Sequence, residues 1–176
     1  ELSGRYAPAA FAVDAPRCPL PSPRIHYWDG DRWRARRKAD RGFGRHCEVV
    51  ISACGLARPQ WTPIGPGAPD WMICGFRLFT ACVQQRLAVE EVFPSAAYTQ
   101  LAGDTEARVE MPLNGFAQGP KDMLDAVLAA YSLHEFTRGC GAECGNGDGL
   151  GRIVLPRPVE HPVFAAVQGW PGRPVV

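Results

Sequence analysis

The sequence predicts an α/β domain, and three observations carry that expectation. Short strand-like runs end at prolines: residues 9–13 before Asp14-Ala15-Pro16, residues 87–93 before Pro94, and residues 152–155 before Pro156. Between them, residues 70–86 carry apolar side chains at the three-and-four spacing of a helix. Residues 120–138 are rich in good helix formers and apolar around most of the helix circumference (Met123, Leu124, Val127, Leu128, Tyr131), which suits a helix packed against a sheet. The chain has 176 residues, enough for one domain with a sizeable core.

Taken in order, residues 1–8 read as an irregular lead-in and 9–13 as a continuous apolar, buried strand. Residues 17–45 are rich in Pro, Gly and Arg and read as a long surface loop. Residues 47–53 stay open between two forms. Val49-Val50-Ile51 favours a strand, whereas Glu48 in a first turn and Gly55 after the end favour a short helix. After a second Pro/Gly loop, Asp70 is placed to cap a helix running to about Arg86, and Gly75 within it suits close packing. Strand 87–93 puts Glu91 on one face with Val89 and Phe93, and Glu90 on the other. Ser95 then caps a short helix to Leu101, and residues 105–111 read as an edge strand or an irregular connection. Pro120 suits the first turn of the long helix and Gly139 its end. Residues 140–151, with five glycines, make a tight loop into the last strand. The domain is expected to span residues 1–156, with a Pro-rich tail over 157–176.

Composition is ordinary for a globular protein, with 46% apolar residues, 21% charged and a formal net charge of +1. One basic run stands out, from Arg32 through Arg34, Arg36, Arg37 and Lys38 to Arg41 and Arg45, interleaved with Trp28 and Trp33. Such a run either tracks a phosphate backbone and stacks bases or forms a solvated face. The seven cysteines form no zinc pattern, and several lie in apolar segments, which suits a reducing, cytoplasmic setting. No apolar run is long enough to span a membrane. A cysteine hydrolase built on Cys47 with His46 or His134 is disfavoured, because adjacent helical residues do not face each other.

Four carboxylates invite a chemical reading: Asp14 after a strand, Glu91 on another, and Asp122 with Asp125 three apart on one helix face. Asp122 complements a helix dipole, but Asp125 lies a turn further in, among apolar residues, and wants a cation or donor. Acids at strand ends and on a helix are what a divalent-metal phosphoryl-transfer site requires.

Several motifs occur in order. They are Ala12-Val13-Asp14-Ala15-Pro16, Trp71-Met72 with Gly75, Glu91-Val92-Phe93-Pro94, Lys121-Asp122-Met123-Leu124-Asp125-Ala126, and residues 147–156 from Gly147-Asp148-Gly149 to Pro156, with Arg45-His46-Cys47-Glu48. Together they resemble a bacterial and archaeal family of unknown function described as predicted nucleases of the RNase H fold. The resemblance implies a resolvase-like mixed sheet with helices on both faces, and makes residues 47–53 a helix. It implies Mg²⁺ or Mn²⁺ held by Asp14, Asp122 and Asp125, with Asp14, Glu91 and Asp125 catalytic. Arg34, Arg36, Arg37 and Arg45 are then expected to hold nucleic acid. The family opens with a Gly-Val-Asp-Gly strand that supplies a first carboxylate, followed by an antiparallel hairpin, and residues 1–10 show neither. The domain is therefore expected to lack those first strands and to expose a sheet edge, which the tail or a second copy in a homodimer would cover. A non-catalytic module binding nucleic acid or a protein partner is the other expectation.

Overall fold

The computed structural model describes residues 10–42, 44–102, 104 and 119–175. Its main sheet contains β1 (Phe11–Val13), β4 (Val89–Val92), β5 (Ala142–Cys144) and β6 (Ile153–Leu155) in the order β1-β4-β6-β5. The first three run parallel, and β5 pairs antiparallel with β6, so the sheet is mixed. A separate hairpin is made by β2 (His26–Trp28) and β3 (Trp33–Ala35).

Helices cover both faces, as the alternation of side chains along the strands requires. On one face, Ile153 and Leu155 pack under Cys47, Val50 and Ile51 of α1 (His46–Ala53). On that same side Val89, Phe11 and Val13 meet Phe79 and Cys82 of α2 (Asp70–Gln84). On the opposite face, Ala12, Val92 and Val154 meet Ala129 and Phe136 of α4 (Pro120–Thr137), against which α3 (Pro94–Leu101) packs.

The ambiguity at residues 47–53 resolves as helix. Glu48 accepts the Arg45 backbone N–H at 3.1 Å, which is half of a capping box, and this local bond outweighs the β preference of Val49-Val50-Ile51. The expected caps shift by a residue or two. Pro69, not Asp70, precedes α2, and Pro94 occupies the first turn of α3 after Phe93, where its missing N–H costs nothing.

Two expectations are corrected. Residues 17–45 are not simply a loop, since they contain the β2–β3 hairpin, in which Trp28 and Trp33 sit opposite each other. The segment after Pro156 is not only a surface tail. It forms α5 (Phe164–Gln168), whose Val167 is fully buried against α1. The expected edge strand at 105–111 lies outside the described residues. Among the described residues no helix is long and apolar enough to cross a membrane.

Gly75 sets how closely α2 approaches the turn after β1. A Cβ placed there would lie 2.5 Å from the Ala15 Cβ, an atom fixed to the backbone. Helix propensity alone favours Gly75→Ala by about 1 kcal/mol, whereas overpacking costs about 1–3 kcal/mol. The substitution is expected to lower stability in urea by about 1 kcal/mol; a stabilised variant would show that the turn yields freely.

Candidate carboxylate site

Asp14 is the first residue beyond β1, at the carboxyl edge of the parallel strands, where open α/β sheets place ligands. Its turn is pinned to β4 because the Arg17 N–H donates to Glu91 Oε2 at 2.9 Å. The Arg17 guanidinium reinforces this by donating to the Val89 carbonyl at 3.0 Å. A cavity of about 360 Å³ opens there, walled by Asp14, Arg45, Glu48, Arg58, Trp71 and Glu91 among others. Its lining carries three carboxylates against two guanidinium groups, one negative charge in excess.

The floor of the cavity is a buried ion network. Arg45, 1% exposed, donates from Nη1 to Glu91 Oε2 at 2.7 Å and from Nη2 to Glu91 Oε1 at 2.5 Å. Its Nε and Nη2 both reach Glu48 Oε1 at 3.0 Å. Glu48 also accepts from the Thr62 N–H at 3.0 Å and from the Thr62 hydroxyl. Burial pushes the Glu91 carboxyl above its ordinary value, against the opposing pull of Arg45.

These contacts correct two site expectations. Arg45 is not a nucleic-acid contact, because it lies beneath the cavity with its guanidinium shared between two buried carboxylates. Glu91 is not a free ligand or base, because both its oxygens are taken by Arg45 and the Arg17 N–H.

Asp14 is different. The residue is exposed at the cavity mouth, and among the described residues its carboxylate makes no hydrogen bond or ion pair. Its pKa is raised from 3.8 to about 6, by partial desolvation first and by the charge of Asp125 second, with the Lys121 ammonium pulling the other way. Asp125 projects from α4, which packs against β1. Its carboxylate accepts from the Tyr98 hydroxyl at 3.0 Å and pairs with Lys121 one turn earlier. The charge of Asp125 thus acts on Asp14 across the edge of the sheet. Asp122 is exposed. The expected metal set of Asp14, Asp122 and Asp125 does not gather: among the described residues, no three His, Cys, Asp or Glu side chains form a metal-holding group.

The raised pKa has a sign. Asp14 ionises at 3.8 as a model carboxyl and at about 6 in the fold, so folding takes up a proton between those values. Stability is highest below the lower value and falls as pH rises through the upper one. The unscreened effect is about 3 kcal/mol, reduced by solvent to about 1 kcal/mol. Asp14→Asn is therefore expected to be about 1 kcal/mol more stable than the parent at pH 7 and equal to it near pH 3.5. Urea titrations at both pH values check this, and a variant weaker at pH 7 would mean that the carboxylate has a favourable partner.

The remaining expected contacts divide. Arg34 is held by Asp40 through two bonds of 2.7 Å and by Asp29 at 3.4 Å, and lies over the Tyr27 ring. Arg37 is exposed and Arg36 half-buried. Cys47 is fully buried, and burial pushes its thiol well up, which removes it as a nucleophile. Sequence reading gave no site role to Glu48 or Arg58. The three-residue spacing of Arg45 and Glu48 at a helix start was the available signal for the first; Arg58 had none. Comparison of the chain with protein-family models, curated proteins and solved structures finds no match.

Proposed function

We propose that this chain is an RNase H-like module that hydrolyses phosphodiester bonds in DNA or RNA with a divalent cation, Mg²⁺ or Mn²⁺, held by Asp14 and Asp125. The observation that carries the reading is the position of Asp14 at the carboxyl end of β1, on a cavity wall with excess negative charge and within the field of Asp125 on α4, which packs against β1. The donor set fits such an ion. Both groups are hard oxygen ligands, and Asp14 makes no hydrogen bond or ion pair among the described residues. The exposed Lys121 ammonium, which now neutralises Asp125 and acts on Asp14, would have to give way to the ion. Mg²⁺ is commonly bound through one or two carboxylates with its waters retained. When bound, the ion would supply a more acidic water and charge stabilisation at the phosphate. Tyr98 orients Asp125 by donating to it. Arg58, on the cavity wall with no ion pair among the described residues, is placed to hold a phosphate oxygen. Trp71, 47% exposed on the same wall, offers a face to a base.

A second reading, a non-catalytic module that binds nucleic acid or a protein through the same loops, is favoured by one observation. Glu91, the third acid expected at the site, is committed to Arg45. Calorimetric titration with Mn²⁺, alongside cleavage assays on structured and single-stranded DNA and RNA, separates the two. The nuclease reading expects metal binding and cleavage in the parent and neither in Asp14→Asn or Asp125→Asn. Cleavage that survives in Asp125→Asn sinks it, and salt-sensitive binding without cleavage favours the module.

A further inference from the structure

The hairpin β2–β3 and α1 enclose a second cavity, of about 150 Å³, on the other side of the Gly44–Arg45 segment. Trp28, Trp33, Trp61, Trp170, Arg24 and Arg41 are among its walls. The size is well below the roughly 300–1,000 Å³ of a pocket for a drug-sized ligand and suits one flat ring system. Four of the chain's five tryptophans converge here from three separate stretches of sequence. Register places Trp28 opposite Trp33, with ring centroids 5.5 Å apart at 69°. Trp33 meets Trp170 at 5.0 Å and 79°. Each of these edge-to-face pairs covers one ring face, and Trp170 also has the His46 ring at 5.1 Å and 40° and the Arg24 guanidinium 5.3 Å over it. Among the described residues Trp28 pairs with Trp33 alone and Trp61 with no ring, so these two offer faces to a ligand.

Charge chooses the ligand. Aromatic cages for ammonium groups rely on ring faces to attract a cation, but this wall holds two guanidinium groups and no carboxylate. Asp148 neutralises Arg24 from behind, whereas Arg41 is exposed and makes no ion pair among the described residues. In the same stretch of chain Arg32, Arg37 and Lys38 are also exposed and make no ion pair among the described residues, while Arg34 is neutralised by Asp40 and Asp29. The rim therefore suits phosphates and the interior suits a ring.

We propose that this cavity binds one unpaired nucleobase of a single-stranded nucleic acid, with the adjoining phosphates crossing the Arg32–Arg41 rim. The inference rests on the reading that nucleic acid is the polymer this chain handles, and it names the form, single-stranded, that the chain selects. A base pair would not enter a space of this size.

Tryptophan fluorescence titrations in EDTA test it, with an eight-nucleotide thymidine oligomer and an abasic oligomer of equal length. The thymidine oligomer is expected to quench fluorescence and to bind about tenfold more tightly than the abasic one. Arg41→Glu is expected to weaken both without changing their ratio, and Trp28→Ala to bring the ratio towards one. Should Trp28→Ala fail to fold, the ratio measured on the parent still decides. Equal affinity for the two oligomers, no binding of either, or tighter binding of choline than of the thymidine oligomer each overturns the proposal. Because EDTA removes metal, base selectivity without cleavage in a parallel Mn²⁺ assay sinks the nuclease reading alone. Cleavage with equal affinity for the abasic strand sinks this one alone.

Discussion

Arg45→Met is expected to lower stability by about 3–5 kcal/mol, a large share of the roughly 5–15 kcal/mol that holds an ordinary domain folded. The reason is the arithmetic of the buried network: one guanidinium serves Glu48 and Glu91, each about 4% exposed at the side chain. Methionine fills much of the same space but leaves two buried carboxylates facing each other, so one or both must take up a proton or draw in water. Arg45→Lys keeps the charge and loses the planar fork that serves both acids, so an intermediate loss is expected. The cycle of Arg45→Met and Glu91→Gln, singly and together, isolates the pair. If the interaction is as described, the double variant loses clearly less than the sum of the two single losses, because removing Arg45 harms chiefly by stranding Glu91. Additive losses in urea would mean that Arg45 acts through packing alone. The same network explains why an acid that reads in sequence as a ligand serves the fold: the cation it needed lies 46 residues earlier in the chain.

That distance marks where sequence reading ends. Strands β1, β4 and β6 were legible because each is a short run stopped by proline, α2 because its apolar spacing is long and regular, and α4 because Pro120 opens a long run of good helix formers. Asp14 and Asp125 were legible as acids in unusual places, and in the fold the charge of one acts on the other. Arg45 was not, because a guanidinium at the end of a basic run reads as one more solvated charge. Its burial depends on Glu91 arriving from β4, which no local pattern announces. The hairpin was hidden for a related reason. Its strands are three residues long, too short to display a period, and they are held by the Trp28–Trp33 pair and by Arg34 on Asp40. Helix α5, five residues within a Pro-rich stretch, likewise exists through the burial of Val167 and the His46 ring nitrogen bonded at 2.9 Å to the Val167 carbonyl.

Asp148→Ala is the other substitution expected to cost about 3–5 kcal/mol. The residue lies in the glycine-rich loop before β6 and is fully buried, and its carboxylate joins three parts of the chain. Oδ2 accepts the His46 N–H at 2.8 Å, at the start of α1, and pairs with Arg24. Oδ1 accepts the Leu150 N–H at 3.0 Å, closing the loop on itself. Alanine would strand the N–H groups and leave a guanidinium with 9% of its side chain exposed without its anion. It would also remove a negative charge from the positive end of α1. Asp148→Asn keeps an acceptor and loses the charge, so roughly half the loss is expected. The readout need not be global stability alone. Hydrogen exchange at His46 and Leu150 should speed up in both variants. A loss of stability with those two amides still protected would place the defect elsewhere. Since Arg24 also lies 5.3 Å from the Trp170 ring centre, releasing it from Asp148 adds a free positive charge to the aromatic cavity. At a temperature where Asp148→Asn remains folded, the base-binding proposal therefore requires the variant to hold a phosphate-bearing strand at least as tightly as the parent. A stability defect paired with unchanged or tighter binding is an outcome that simple misfolding cannot produce.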